Sequence, residues 1–234
     1  GDTIVDSYTQ TEMIGGQTKT PTPSVLLNEE KKYVGGAGIV AKHLRAAGAN
    51  VVFSTGLGKD SLGDFVLGDL ENCGIEVNAI RDESRPTTNK NVFIASGYRL
   101  LKVDSLDNRP ISTRYLNHLC DSVSKTESDI LVFSDFRHGI FNQMSIPEII
   151  KSLPKKIFKA ADSQVATRWG NITEFKNFDL IILMNNHNKT EEILIKNLKK
   201  TLSPKFIYDC WNILQRETVE YFNYKYMSLS KNYF

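Results

Sequence analysis

A glycine-rich turn is the segment of this sequence best suited to binding a ligand. Gly35-Gly36-Ala37-Gly38 stands directly before an apolar stretch with helical spacing, so the turn should open into a helix. Glycines let a backbone approach a ligand closely, and the free N–H groups of a helix start attract oxygen-rich ligands. The turn therefore predicts a binding site for such a ligand. The alternative is a tight turn that needs small residues only for packing, because a lone glycine-rich turn is a weak signal.

The other reactive residue types give weaker signals. The four histidines include no pair with metal-ligand spacing on one helix face, and His138, in a loop after Arg137, is the best candidate among them. Cys73, Cys120 and Cys210 have no metal-ligand spacing, and an odd count argues against a disulfide framework. We therefore predict no metal site, and we expect a reducing cytoplasm as the location.

Apolar runs and helical patterns alternate along the chain. Two stretches, at about residues 8–34 and 85–104, break this alternation, and the second contains a hairpin-like turn at Ser96-Gly97-Tyr98. The alternation predicts an α/β fold with a mostly parallel sheet and flanking helices, and the two exceptions predict a small β-lid beside it. A helix is predicted over Lys189–Lys200. The predicted parallel strands are Val51–Thr55, Ile130–Ser134, Ile157–Ala161, Leu180–Met184 and Phe206–Tyr208.

A series of motifs continues along the first 180 or so residues. After the glycine-rich turn come a helix, a strand and the run Gly56-Leu57-Gly58-Lys59-Asp60-Ser61-Leu62-Gly63. Gly1–Tyr8 matches a Gly-Asp-x-x-x-Asp-x-Tyr pattern, and Ser134–Gly139 is close to Ser-Asp-Tyr-x-Lys-Gly. In this order the motifs resemble the ribokinase-like carbohydrate kinases, the PfkB family, and the heptose 7-phosphate kinases are nearest by motif. Further matching segments are Lys19–Leu27, Pro86–Lys90, Arg99–Asp104 and Ala161–Ser163.

The resemblance implies a site and an activity. In that family a carboxylate after the first strand and a Gly-Gly turn hold sugar hydroxyls, which corresponds to Asp6, Gly35 and Gly36 here. A carboxylate suits this role because it accepts two hydroxyl hydrogen bonds. Lys90 would stand on the lid, where a cation can meet a sugar phosphate, and Asp135 at a strand's carboxyl end. The implied reaction is phosphoryl transfer from ATP, with Mg²⁺, to a sugar or sugar phosphate.

Structural roles are the alternatives for these residues, and two departures from the family bear on the activity. Asp6 could cap a loop, and Lys90 could be a solvated strand charge. The family has Asn after Gly-Gly-Ala-x, whereas this chain has Ile39, whose side chain makes no hydrogen bond. The family's Asp-Thr-x-Gly-Ala-Gly-Asp is absent from the sequence. Its backbone amides form an anion hole and its last Asp deprotonates the acceptor hydroxyl, so the catalytic residue is not identified.

The length and the first residue fit that absence. A complete kinase of this family has about 300 residues, whereas this chain has 234 and begins at Gly1 rather than Met. We therefore predict a truncated or repurposed kinase fold, or an excerpt of a longer protein. A noncatalytic sugar-binding or scaffold module of a larger sugar-metabolism protein is the alternative function.

The last part of the sequence has a different pattern. The strand at 179–187 ends in polar residues, and Asp209-Cys210-Trp211-Asn212 follows a second strand. This weakly resembles the C-terminal domain of UDP-sugar dehydrogenases, with Cys210-Trp211 in place of Gly-Arg, so that a basic contact of that family is missing. A nucleotide-sugar site is thus one interpretation. We favour the other, in which 1–178 is the ribokinase-like sugar-binding domain and 179–234 a strand–helix–strand unit that completes the sheet.

Composition excludes several other classes of protein. Apolar residues make up 41% and charged residues 24% of the chain, a balance typical of a folded globular protein. A net charge of +2 provides no field for nonspecific nucleic-acid binding. There is neither a run of about 18 apolar residues nor a signal peptide, so we expect no membrane partner. An exposed lid edge invites a second chain, which predicts a possible homodimer.

Overall fold

A boundary near residue 108 divides the chain into two units. The computed structural model describes residues 1–14, 22–154, 156–163, 175, 178–183 and 206–228. One unit spans residues 2–108, and the other spans residues 109–234 together with Gly1. The domain division predicted at residue 178 stays a prediction. Within the described residues, no helix is both long enough and apolar enough to cross a bilayer.

The 2–108 unit contains a four-stranded sheet and a separate pair of parallel strands. The sheet has the order β2-β1-β5-β6, in which β1 and β5 are parallel and the two outer pairs are antiparallel, and β3 pairs with β4. The elements in chain order are β1 Thr3–Met13, β2 Val25–Gly36, α1 Ala37–Ala46, β3 Val52–Gly58, α2 Ser61–Asn72, β4 Glu76–Asp82, β5 Asn89–Ala95 and β6 Tyr98–Ser105.

The four-stranded sheet confirms the small sheet predicted from the two stretches that break the α/β alternation. Strands β5 and β6 form a hairpin whose turn residues, Ser96 and Gly97, have φ values of 49° and 81°. Two successive positive φ values are typical of a type I′ turn, whose twist matches that of paired strands. The central strand β1 carries buried Ile4 and Val5, whereas every residue of β6 is exposed.

The 109–234 unit is built on a five-stranded parallel sheet. Its order is β11-β10-β9-β8-β7, and every neighbouring pair is parallel. The strand runs predicted from the sequence are confirmed here and at β3, while the predicted helix Lys189–Lys200 lies outside the described residues. The elements are α3 Thr113–Lys125, β7 Ile130–Asp135, α4 Ser145–Ser152, β8 Phe158–Ser163, β9 Leu180–Leu183, β10 Phe206–Asp209, α5 Arg216–Tyr221 and β11 Lys225–Ser228.

An aromatic cluster forms part of the core of this second unit. Phe133 on β7 packs edge-to-face against Phe178 with 4.8 Å between ring centroids, and Phe141 and Phe175 complete the group. All four rings are buried. Edge-to-face pairs stabilise beyond their buried area, so this cluster fixes β7, the strand that ends at Asp135.

Candidate functional site

Asp6 and Lys90 lie side by side on neighbouring strands. Asp6 on β1 is in register with Lys90 on the parallel strand β5, and with Tyr33 on the antiparallel strand β2. Residues in register point to the same face of a sheet. The face therefore carries a carboxylate, an ammonium group and a phenol on three adjacent strands. Asp6 and Lys90 are half-buried, whereas Tyr33 is 54% exposed.

Gly35 and Gly36 shape the turn beside Asp6. A Cβ on Gly35 would overlap with Oδ2 of Asp6, so any other residue here would displace that carboxylate. Gly36 has a φ of 58°, and its Cβ would come within 2.6 Å of the carbonyl oxygen of Asp2. That same carbonyl accepts a hydrogen bond from the N–H of Ala37 at 2.8 Å, the first residue of α1. The strand thus turns directly into the helix, as the sequence predicts.

Packing alone explains the third glycine of the turn. A Cβ on Gly38 would overlap with Cγ1 of Val34, and both residues are buried. Gly38 therefore lets α1 lie close against the end of β2. Both interpretations of the glycine-rich turn apply, but to different glycines: Gly35 and Gly36 surround Asp6, and Gly38 serves helix packing. Ile39 is half-buried next to it.

Two hydrogen bonds on the opposite face hold the register of β1 and β5. Ser7 Oγ donates to Asn89 Oδ1 at 2.8 Å, and Thr9 Oγ1 donates to Asn91 Oδ1 at 2.8 Å. Ser7 and Thr9 are buried, where an unmade hydrogen bond is costly. A slip of one residue would break both bonds and turn every side chain to the other face. The register that places Asp6 beside Lys90 is therefore well specified.

Asp135 lies in the other unit, at the carboxyl end of β7. It is fully buried, and its Oδ1 accepts a hydrogen bond from the backbone N–H of Arg137 at 2.9 Å. Arg137 has a φ of 64°, a left-handed conformation uncommon for a residue with a side chain. His138, the best histidine candidate, follows in this loop and is half-buried.

Asp162, on the neighbouring strand β8, is a carboxylate that sequence reasoning did not select. It is in register with Ser134, so it lies one position from Asp135 along the sheet edge. Burial, and then the charge of Asp135, raise the pKa of Asp162 to about 6. The signal available in the sequence was its place after a predicted strand, because parallel sheets gather ligand sites at the carboxyl ends of their strands.

Asp209, at the end of β10, has an internal structural role. Its Oδ2 accepts hydrogen bonds from Leu214 N at 2.8 Å and from the Tyr226 hydroxyl at 3.1 Å, and its Oδ1 accepts one from Trp211 N. Burial, followed by the charge of Asp209, raises the pKa of Tyr226 to about 12. The carboxylate thus fastens the loop after β10, which favours a structural role for this segment over a nucleotide-sugar site.

Comparison with known proteins identifies relatives of the chain. The model of the pfkB family carbohydrate kinases matches residues 1–168. Among curated proteins, the chain is 28% identical over 155 residues to the bifunctional protein HldE of a Bradyrhizobium species, covering 64% of this chain and 32% of that protein. It is 27% identical over 161 residues to HldE of a Nitratiruptor species, covering 68% and 34%. The chain thus spans about a third of the length of these relatives.

Solved structures share the fold. Phosphofructokinase-2 from Escherichia coli, in complex with substrates and products, matches with a TM-score of 0.60 and 16% identity, covering 94% of this chain and 66% of that one. Ribokinase from Giardia lamblia matches with a TM-score of 0.53 and 14% identity, covering 78% and 59%. At these identities the likeness shows the fold, which is ribokinase-like, as the motif order predicts.

Proposed function

The chain belongs to the pfkB family of carbohydrate kinases, and from this we propose that the sheet face around Asp6 and Lys90 binds a sugar or sugar phosphate. The observation that carries the proposal is their register on β1 and β5, which puts a carboxylate and an ammonium group on one face. The carboxylate accepts hydrogen bonds from sugar hydroxyls, and the ammonium group meets an anionic substituent. Gly35 leaves the carboxylate its space.

The spacing of these groups favours a particular class of ligand. Neighbouring parallel strands lie about 4.8 Å apart, so the two charged groups can contact one small molecule together. Both residues are half-buried, which weakens the screening of their charges by water. A sugar with a phosphate or another anionic group fits both at once. Because the motifs are nearest to heptose 7-phosphate kinases, a heptose phosphate is the first candidate.

Phosphoryl transfer from ATP, with Mg²⁺, is the activity we propose for the whole protein. In the described parts of the chain, no group of three or more His, Cys, Asp or Glu side chains could hold a metal ion. The part we assign to Asp6 and Lys90 is to bind and orient the sugar. A noncatalytic sugar-binding module is the second candidate, favoured by Ile39, which stands where the family has Asn.

Calorimetry and a coupled ADP-release assay separate these functions. The ligands are a heptose 7-phosphate, the same heptose without its phosphate, and ATP with Mg²⁺. Sugar-phosphate binding with turnover supports the kinase, and sugar-phosphate binding without ATP binding supports the noncatalytic module. Absence of binding to either sugar overturns the proposed site.

Lys90→Ala tests the ammonium group within the same measurements. We expect about tenfold weaker binding of the phosphorylated sugar, since a hydrogen bond to a charged group contributes roughly 1.5–3 kcal/mol. The matched control is Lys125→Ala, because Lys125 is exposed at the end of α3 in the other unit. Equal losses in the two variants would contradict a specific role for Lys90.

We also propose that the chain forms a homodimer through the other face of the four-stranded sheet. Leu101 and Val103 on β6 are in register with Phe93 and Asn91, and hence point away from Asp6. Leu101 is 58% and Val103 42% exposed, and Leu27 on β2 is 63% exposed. Large exposed apolar side chains on both edge strands of one sheet face are typical of a protein interface.

A further inference from the structure

A hydrogen-bond network joins the start of α2 to the segment that leads into β5. Asp60 is the N-cap of α2, and its Oδ1 accepts hydrogen bonds from Gly63 N and from Thr87 Oγ1, both at 2.8 Å. Its Oδ2 accepts a third from Thr87 N at 2.8 Å. Thr87 Oγ1 in turn accepts one from Gly58 N at 2.9 Å. One carboxylate therefore caps a helix and holds a residue 27 positions away in the chain.

Two glycines allow this network to close. A Cβ on Gly58 would overlap with Oδ2 of Asp60 and come within 2.5 Å of Thr87 N. A Cβ on Gly63 would come within 2.5 Å of the Gly58 carbonyl oxygen and 3.1 Å of Thr87 Oγ1. The residues of the pattern Gly58-x-Asp60-x-x-Gly63 thus have a shared structural role. Arg81 supports the same turn by donating to the Gly58 carbonyl oxygen at 3.0 Å.

The network reaches the proposed site through two short steps along the chain. Thr87 is 2% exposed, and the carbonyl oxygen of the next residue, Thr88, accepts a hydrogen bond from Val5 N at 2.8 Å. Val5 immediately precedes Asp6, and Lys90 comes two residues after Thr88. Asp60 therefore holds Thr87, and the next residue, Thr88, makes the hydrogen bond to β1 at the point where β1 and β5 begin to pair.

We propose that Asp60 is a positioning residue for the sugar-binding face, a role that rests on the function proposed above. By holding Thr87, it fixes the first residues of β5, and with them the ammonium group of Lys90 beside Asp6. Asp60 itself touches no ligand in this arrangement. The loss of Asp60 should therefore weaken mainly the binding of the sugar's phosphate, the group that Lys90 contacts in the proposed site.

The protonation state of Asp60 supports this role. Burial raises its pKa, but hydrogen bonds from Thr87 and Gly63 and the charge of Arg81 outweigh burial and hold the pKa below its usual range. The ionised carboxylate can accept all three hydrogen bonds. In Asp60→Asn, the amide nitrogen cannot accept one, so the variant keeps the shape and loses part of the hold on Thr87.

The test compares variants in binding of the heptose 7-phosphate and of the unphosphorylated heptose. We expect Asp60→Asn to weaken binding of the phosphorylated sugar about tenfold and that of the free sugar much less. In a Lys90→Ala background, Asp60→Asn should add almost nothing, because both changes remove the same interaction. Glu71→Gln, which changes an exposed carboxylate on the same helix α2, is the matched control.

Hydrogen exchange of the β5 amides is the second readout, and it needs no ligand. Asp60→Asn should accelerate exchange in β5 while Glu71→Gln leaves it unchanged. If the wild-type chain binds neither sugar, the proposed function fails, and exchange still decides whether Asp60 orders β5.

Thr87→Val with its conservative partner Thr87→Ser repeats the test should Asp60→Asn fail to fold, since Ser keeps the hydroxyl. Equal losses for both sugars, full additivity with Lys90→Ala, or unchanged exchange in β5 would overturn the proposal.

Discussion

The carboxylate of Asp6 occupies space that a side chain at position 35 would fill. Asp6 and Gly35 stand on neighbouring strands, and a single added Cβ would overlap with Oδ2. The carboxylate cannot retreat easily, because its strand is fixed by the part-buried Ser7–Asn89 hydrogen bond. The absence of a side chain at residue 35 is therefore as much a part of the proposed site as the carboxylate itself.

Gly35→Ala tests this arrangement at the scale of one methyl group. The added Cβ should push the Asp6 carboxylate out of position, and the loss of its hydrogen bonds to sugar hydroxyls should weaken sugar binding at least about tenfold. Calorimetry with the phosphorylated and the free sugar measures the effect, and both should lose affinity because both carry hydroxyls.

The control for Gly35→Ala is Gly68→Ala. Gly68 lies within α2, and nothing stands within 4 Å of the Cβ it would gain. Alanine there should leave sugar binding unchanged and stabilise the helix by roughly 0.5–1 kcal/mol. Undiminished binding in Gly35→Ala would show that Asp6 does not contact the sugar as proposed.

At the scale of secondary-structure elements, the carboxyl ends of the neighbouring strands β7 and β8 bring two carboxylates, Asp135 and Asp162, close together. Burial and the neighbouring Asp135 raise the pKa of Asp162 to about 6, from an ordinary value of 3.8. Between these two values the folded chain binds more protons than the unfolded chain, so its stability falls as pH rises through this window. Above about pH 6 the ionised Asp162 remains a destabilising charge.

Asp162→Asn should remove that destabilising charge. We expect the melting temperature at pH 7 to rise by roughly 2–4 °C, the shift that about 1 kcal/mol produces in a chain of 150–250 residues. The gain should shrink toward pH 4, where Asp162 of the wild-type chain is already protonated. Thermal melts across this range give the profile, and Asp129→Asn, at an exposed position in the same unit, is the control. A gain that does not depend on pH would exclude ionisation as its cause.

Elements were more predictable from the sequence than the contacts between them. Continuous apolar runs such as Ile130–Ser134 located the parallel strands, since strands covered on both faces lack alternation. Ser96-Gly97 located the hairpin, because that turn needs positive φ values. The hydrogen bonds from Thr87 to Asp60 and the pairing of Asp162 with Ser134 join residues far apart in the chain, and such contacts leave no periodic trace in sequence.

The site residues likewise include some that the sequence predicts and one that it does not. Asp6, Gly35, Gly36 and Lys90 were selected through the motif order, and the structure brings all four together on the four-stranded sheet. Asp135, also selected, lies in the other unit of the chain. Asp60 was not predicted as a site residue, because its carboxylate acts through Thr87. A sequence motif does not show which distant residue its members contact. The binding roles of the selected residues stay predictions that the variants above address.

At the scale of the whole molecule, the proposed homodimer would form through the sheet face opposite Asp6. A dimer that buries Leu101, Val103 and Leu27 should dissociate on dilution, and sedimentation across a wide range of concentrations would follow it. Leu101→Glu should give a monomer, because it would bury a charge without a partner in the interface. Met144→Glu is the control, since Met144 is 79% exposed and lies in the other unit. A wild-type chain that stays strictly monomeric at high concentration would rule out this interface, and the exposed leucines would then need another partner.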